Sequence, residues 1–298
     1  MYYIGALIYY VVEPPESGFN LLQMLWSFAF VNSWRPEWMP TTPGWAVVPG
    51  GWSIGVEFTF YWIFPALAAF VVSLPRAAIL LTGTLLIAAV SNYFGTIWLS
   101  DYNKVAADNF LYFWFPNQAP VFSLGFILYF LVTRPGLQIA SKKTAYGVLA
   151  ATLVAWLIAA EHPVQSQLIG LSVSVPNILI ATSIFMVFIF VLARGPETLF
   201  THKYIRRMGV LSFSAYVLHF LFVHKIPVWT GGLINCKATG YTAIATGAAL
   251  WVLTMIGTVA ASAVAHKLIE QPAINWAHRL TSTRPRPFVT PCQLAIRQ

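Results

Sequence analysis

The chain is 298 residues long, 58% hydrophobic and only 9% charged, with a mean hydropathy of +0.69. Soluble domains carry about a quarter of their residues as charges, so an ordinary soluble fold is excluded. The 17 Lys and Arg outnumber the 9 Asp and Glu, but they form no basic stripe with interleaved aromatics. Nucleic acid is therefore not the expected partner, and the surplus base is read as loop charge that orients membrane segments.

A helix needs about 20 apolar residues to cross a bilayer, and a transmembrane β-barrel would show short alternating segments instead. The long continuous runs here predict an all-α, polytopic integral membrane bundle. In chain order the predicted spans are 1–12, 53–72, 77–95, 119–133, 145–160, 176–193, 209–227 and 243–268. That makes about eight, or nine if residues 21–31 cross; this last piece is short and is placed at the interface. Glu13-Pro14-Pro15-Glu16, Pro75-Arg76, Arg134-Pro135-Gly136 and Arg194-Gly195-Pro196-Glu197 punctuate the breaks. A single membrane domain is expected over 1–280, followed by a basic tail over 281–298. The opening MYYIGALIYYVV has no charged leader and no small-residue cleavage site, so it is not read as a signal peptide. It reads as the latter part of a span. Cys236 and Cys292 are too far apart to suggest a disulfide framework or a metal site, and no metal is expected.

The basic residues alternate between loops. Arg76, Arg134, Lys142, Lys143, Arg194, Lys203, Arg206 and Arg207 fall in one set, and Lys267, Arg279, Arg284, Arg286 and Arg297 follow the last span. Only Arg35, Lys104, Lys225 and Lys237 fall in the opposite set. By the positive-inside rule the first set and the C-terminus are cytoplasmic, which predicts a plasma-membrane protein of bacterial inner-membrane type.

Three polar islands interrupt the apolar runs. The first is GGWSIGVEFTFYWIFP, residues 50–65. Ser53, Glu57 and Tyr61 stand at i, i+4 and i+8 and share a helix face, while Trp52 sits at the expected membrane boundary. If Ser53 caps the helix, Glu57 lies near the positive end of its dipole. A functional carboxylate fits better with the apolar run that continues to Val72, because ionisable groups inside a span usually face a cavity or a partner. In the second island Ser212, Tyr216 and His219 form one stripe at i, i+4 and i+7; packing and catalysis explain it equally. The third holds His266 and Glu270 at i, i+4 before Pro272, which surface ion pairing accounts for. No HExxH, CxxC, GxSxG, P-loop or dinucleotide fingerprint occurs.

Taken together, these islands resemble the acyltransferase 3 family of integral membrane acyltransferases, which includes polysaccharide O-acetylases. Trp52, Ser53, Val56, Glu57, Phe60, Tyr61 and Pro65 match its W-S-(L/I)-x-V-E-x-x-F-Y-x-x-x-P signature, with Phe58 where a second acid is common. FPNQAPVFSLGFILYF (115–130) is similar to its P-x-x-x-x-x-F-x-x-G segment. MGVLSFSAYVLHF (208–220) is similar to its G-x-(I/L)-S-(Y/F)-S-x-Y-x-x-H stretch, and KLIEQPA (267–273) to its terminal E-x-P. The family's Arg-or-Lys and His pair in a first span has no counterpart here. Residues 1–12 look like the remainder of the third family span, so further spans are expected upstream of Met1.

The resemblance implies transfer of an acyl group, usually acetyl, from acyl-CoA to a hydroxyl of an envelope glycan or lipid-linked sugar. Acyl-CoA would be a substrate, with no bound cofactor. Glu57 would orient a catalytic His or the acceptor hydroxyl, and His219 would add a second catalytic contact. Trp52, Ser53, Tyr61 and Tyr216 would line the substrate cavity. An inactive remnant of the family and a transporter or flippase stand as rivals; a transporter would typically carry broken-helix pairs or inverted repeats, and none is visible.

Overall fold

The computed structural model describes residues 1–12, 21–35, 51–162, 174–234 and 239–281. The tail from 282 onward, both cysteines and residues 13–20 and 36–50 lie outside the described residues. Within them the protein is all helix, with no strand. The helices are α1 (Tyr2–Val12), α2 (Leu21–Phe28), α3 (Trp52–Phe70), α4 (Leu74–Trp98), α5 (Lys104–Phe113), α6 (Phe115–Thr133), α7 (Lys142–Glu161), α8 (Ser174–Arg194), α9 (Lys203–Val210), α10 (Ser212–Trp229), α11 (Gly240–Ala265) and α12 (Gln271–Thr281). One turn of π-helix, His266–Glu270, joins α11 to α12.

Among the described residues six helices are long and apolar enough to cross a membrane, or seven if the bent pair α9–α10 counts as one span. The chain is thus a polytopic helical membrane protein. At 11 residues α1 spans only about 16 Å, and α2 has 8 residues, consistent with an interfacial 21–31. The chain divides into two compact units, one formed by Met1–Gly5 with the chain from Met208 onward, the other by Ala6–Arg207.

In the Ala6–Arg207 unit, α4 is built inside out. Its buried positions are Ala77, Thr84, Ala88, Asn92 and Gly95, while Ile79, Leu86, Ile87, Val90, Phe94 and Ile97 are exposed. Lipid is as apolar as Leu, so membrane helices associate through small residues and interhelical hydrogen bonds. α4 meets α6 in this way. The hydroxyls of Thr84 and Ser123 lie 3.0 Å apart, and Asn92 and Asn117 exchange amide hydrogen bonds of 2.6 and 3.1 Å. Position 84 faces 123 and position 92 faces 117, so the two helices run antiparallel. α3 runs parallel to α6, because Phe60 stacks on Phe122 and Phe64 on Phe126, at 4.1 and 6.0 Å. α7 and α8 are antiparallel around Ala145, Leu149 and Val191. The Arg194 guanidinium donates to the Arg134 carbonyl, and the Ile139 amide to the Arg194 carbonyl at 3.1 Å. These contacts bring the end of α6, the start of α7 and the end of α8 to one end of the unit. The basic loop residues Arg134, Lys142, Lys143 and Arg194 therefore cluster at one end, as the alternation of loops predicts.

The other unit centres on the α10–α11 hairpin. Ser214 meets Glu270, and a Cβ built on Gly257 would fall 2.6 Å from the Phe222 ring. These contacts, 214 with 270 and 222 with 257, make the hairpin antiparallel, and glycine permits the close approach. Gly5 of α1 sits against Val217 in the same way, where a Cβ would lie 2.3 Å from Cγ1.

Candidate functional site

Three polar clusters correspond to the three islands. At the start of α3, Gly51 precedes the helix and no side chain caps it. Ser53 lies inside the helix, not at its cap, and the first turn holds no acid. Glu57 occupies the second turn and is exposed, where helix-end stabilisation fades. The capping explanation for this carboxylate is therefore removed. Glu57 and Tyr61 meet on one face: the Tyr61 hydroxyl donates to Glu57 Oε2, though at a long 3.4 Å. Trp52 turns elsewhere, with its ring 4.4 Å from Phe113 and 5.8 Å from Tyr112 on α5.

A turn that the sequence did not single out lies against the same stretch of α3. Phe30 adopts φ 60°, a left-handed conformation uncommon for a bulky residue, and stacks on Phe58 at 4.0 Å. Trp34 Nε1 donates to Thr59 Oγ1 at 2.8 Å, and its ring meets Trp62 edge-on. Gly55 makes room for the turn, because a Cβ there would stand 2.9 Å from Asn32 Oδ1 and 3.2 Å from the Phe30 carbonyl. The Ser27 and Ser33 hydroxyls are buried without a hydrogen-bond partner among the described residues. The turn therefore packs on the side of α3 that carries Gly55, Phe58, Thr59 and Trp62.

On α10 the predicted stripe divides. Ser212 is exposed, while Tyr216 and His219 are half-buried. His219 Nδ1 lies 2.8 Å from the Tyr216 carbonyl, so the ring spends one nitrogen on its own helix and keeps Nε2 for another role. The ring centroid is 4.0 Å from that of Phe220.

The third cluster differs most from its sequence reading. His266 and Glu270 are not a surface pair. Their side chains are 18% and 12% exposed, with His266 Nδ1 2.8 Å from Glu270 Oε2. The other carboxylate oxygen accepts from the Ser214 hydroxyl at 2.6 Å. Ser214 is fully buried. It stands in the S-(Y/F)-S part of the second motif, but periodicity directed attention to Ser212, Tyr216 and His219 instead. Only packing of α10 on α11 could reveal its partner 56 residues away. Among the described residues no group of three or more His, Cys, Asp or Glu could hold a metal ion.

Residues 1–267 match a family model described as an acyltransferase domain, acyltransferase 3. The chain belongs to the acyltransferase 3 family. The match covers about nine-tenths of the sequence and enters both compact units. It includes Glu57, Ser214, His219 and His266 and stops within the π-turn. None of the curated proteins or solved structures compared with the chain matches it. Membership in the acyltransferase 3 family implies a membrane acyltransferase, and the membrane helices are in place for one.

Proposed function

We propose that this acyltransferase 3 protein moves an acyl group, acetyl by the family's habit, from acyl-CoA to a hydroxyl of a cell-envelope glycan or lipid-linked sugar. The observation that carries the reading is the family match over residues 1–267. Glu57, a carboxylate set in a membrane helix beyond the reach of helix-end stabilisation, supports it.

Ester formation requires removal of the acceptor's proton and stabilisation of the oxyanion that forms at the acyl carbon. Glu57, held on one side by Tyr61, orients the acceptor hydroxyl or a catalytic imidazole. Ser53 and Tyr61 share its face and bind the acceptor's other hydroxyls. His219, with Nε2 left over from its contact with the Tyr216 carbonyl, adds a second catalytic contact beside Tyr216. The C-terminus is cytoplasmic in this reading, in a bacterial inner membrane, so basic loops meet the CoA phosphates.

The test follows label from acetyl-CoA into envelope glycans, using membranes from cells that carry the coding sequence intact or deleted. Incorporation that depends on the gene, and is released by mild base as an ester would be, supports the reading. Equal incorporation from both membranes overturns it.

A further inference from the structure

We propose that His266 is an acid–base group of the transfer reaction, held in one tautomer by Glu270 and Ser214; this rests on the acyl-transfer reading above. Glu270 is a nearly buried carboxylate that no Lys or Arg neutralises among the described residues. Its two oxygens are taken by two different donors, Ser214 Oγ at 2.6 Å and His266 Nδ1 at 2.8 Å. An ionised carboxylate only accepts, so it holds the proton on Nδ1 and leaves the lone pair on Nε2. The ring makes no other hydrogen bond among the described residues. This is the arrangement that prepares an imidazole to receive a proton at Nε2.

Two further features set the cluster apart from a structural tie. It is built on a π-turn, with the Gln271 amide bonded to the His266 carbonyl. Such turns add a residue to the helix and re-aim the side chains that follow, often at functional sites. In addition, the stripe of α11 that leads to His266 is polar. Thr254, Thr258 and Ser262 precede it at four-residue intervals, and their buried hydroxyls have no hydrogen-bond partner among the described residues. Most Thr on these helices return their hydroxyl to a carbonyl of the preceding turn, as Thr84 and Thr246 do. This stripe does not, so it brings a row of unpaired hydroxyls to the turn before His266. Ser214 is near the start of α10 and His266 at the end of α11, so the cluster lies at the end of the hairpin from which Lys267 and α12 emerge.

In the step itself, the acceptor oxygen forms a bond to the acyl carbon and the bond from that carbon to the CoA sulfur breaks. The hydroxyl proton passes to His266 Nε2 and from there to the departing thiolate. Ester and free CoA thiol are the products, and His266 returns to its starting state.

The test separates the lone pair from the packing. In the full coding sequence, His266→Asn keeps a donor where Nδ1 stood but has no Nε2. His266→Ala removes both and leaves space for free imidazole. His266→Asn is expected to accumulate in the membrane like wild type and to lose about a hundredfold in kcat, with KM for acyl-CoA little changed. Imidazole is expected to restore part of the activity of His266→Ala and none to His266→Asn. Wild-type turnover by His266→Asn overturns the proposal. So does a loss of activity in both variants that only tracks loss of protein from the membrane. Absence of transfer by the wild type overturns the functional reading and this inference with it, whereas wild-type transfer with an unaffected His266→Asn overturns this inference alone.

Discussion

Asn92 of α4 and Asn117 of α6 face each other across a buried interface and exchange two amide hydrogen bonds, of 2.6 and 3.1 Å. Each amide also reaches a backbone carbonyl, Asn92 that of Ala88 on its own helix at 2.8 Å and Asn117 that of Leu111 on α5 at 2.5 Å. The pair therefore ties α4, α6 and the end of α5 together on the side of the bundle where Trp52 packs. Asn92→Ala leaves the Asn117 amide short of a partner in a fully buried site. A loss of about 1 kcal/mol is expected, within the range of polar contacts between membrane helices. A double-mutant cycle with Asn117→Ala, read by unfolding in detergent, should return a coupling of at least about 0.5 kcal/mol. A coupling of zero would mean that the amides do not depend on each other.

Two glycine substitutions should act in opposite directions. Gly55→Ala forces a methyl against Asn32 Oδ1 and the Phe30 carbonyl, and the backbone oxygen cannot simply rotate away. It should lower stability by about 1–3 kcal/mol, as overpacking does. Gly83→Ala, in α4 with nothing within 4 Å of the new methyl, should raise stability by about 0.5–1 kcal/mol through helix propensity. Thermal unfolding of the two variants side by side checks this, and equal shifts would mean that the 29–34 turn does not rest on α3.

Glu57→Gln should lower acyl transfer at least about tenfold, about 1.4 kcal/mol in the barrier. Gln keeps the shape and can still accept from Tyr61, so the amount of protein in the membrane should be unchanged. Tyr61→Phe should cost less than about threefold, since a 3.4 Å hydrogen bond is weak. Wild-type turnover by Glu57→Gln would return this carboxylate to a structural part.

Orientation is open to chemical labelling. A cysteine placed at Lys142 or Arg206 should be protected from an impermeant thiol reagent in intact cells, and one at Asp101 should react. The basis is the concentration of base in alternate loops and the gathering of Arg134, Lys142 and Arg194 at one end of their unit. Reaction at all three positions would remove the assignment of the basic loops to the cytoplasm.

The membrane helices and the family were legible from the sequence alone, for a physical reason. Lipid leaves every backbone amide to be satisfied within its own helix, so the length of an apolar run sets the span without reference to any other part of the chain. Contacts within one helix were legible too, because an i, i+4 spacing puts Tyr61 over Glu57 and Glu270 over His266 whatever surrounds them. Contacts between helices were not. Periodicity picked out Ser212 and Tyr216, yet it is Ser214, on another side of the same helix, that meets Glu270. Trp52 looked like a neighbour of Glu57 and packs on α5 instead. Apolar residues cover both the lipid-facing and the protein-facing sides of these helices, so hydropathy carries no signal of which side turns inward. That choice is made only when the helices pack, by the small residues that allow close approach and the polar side chains that find partners there.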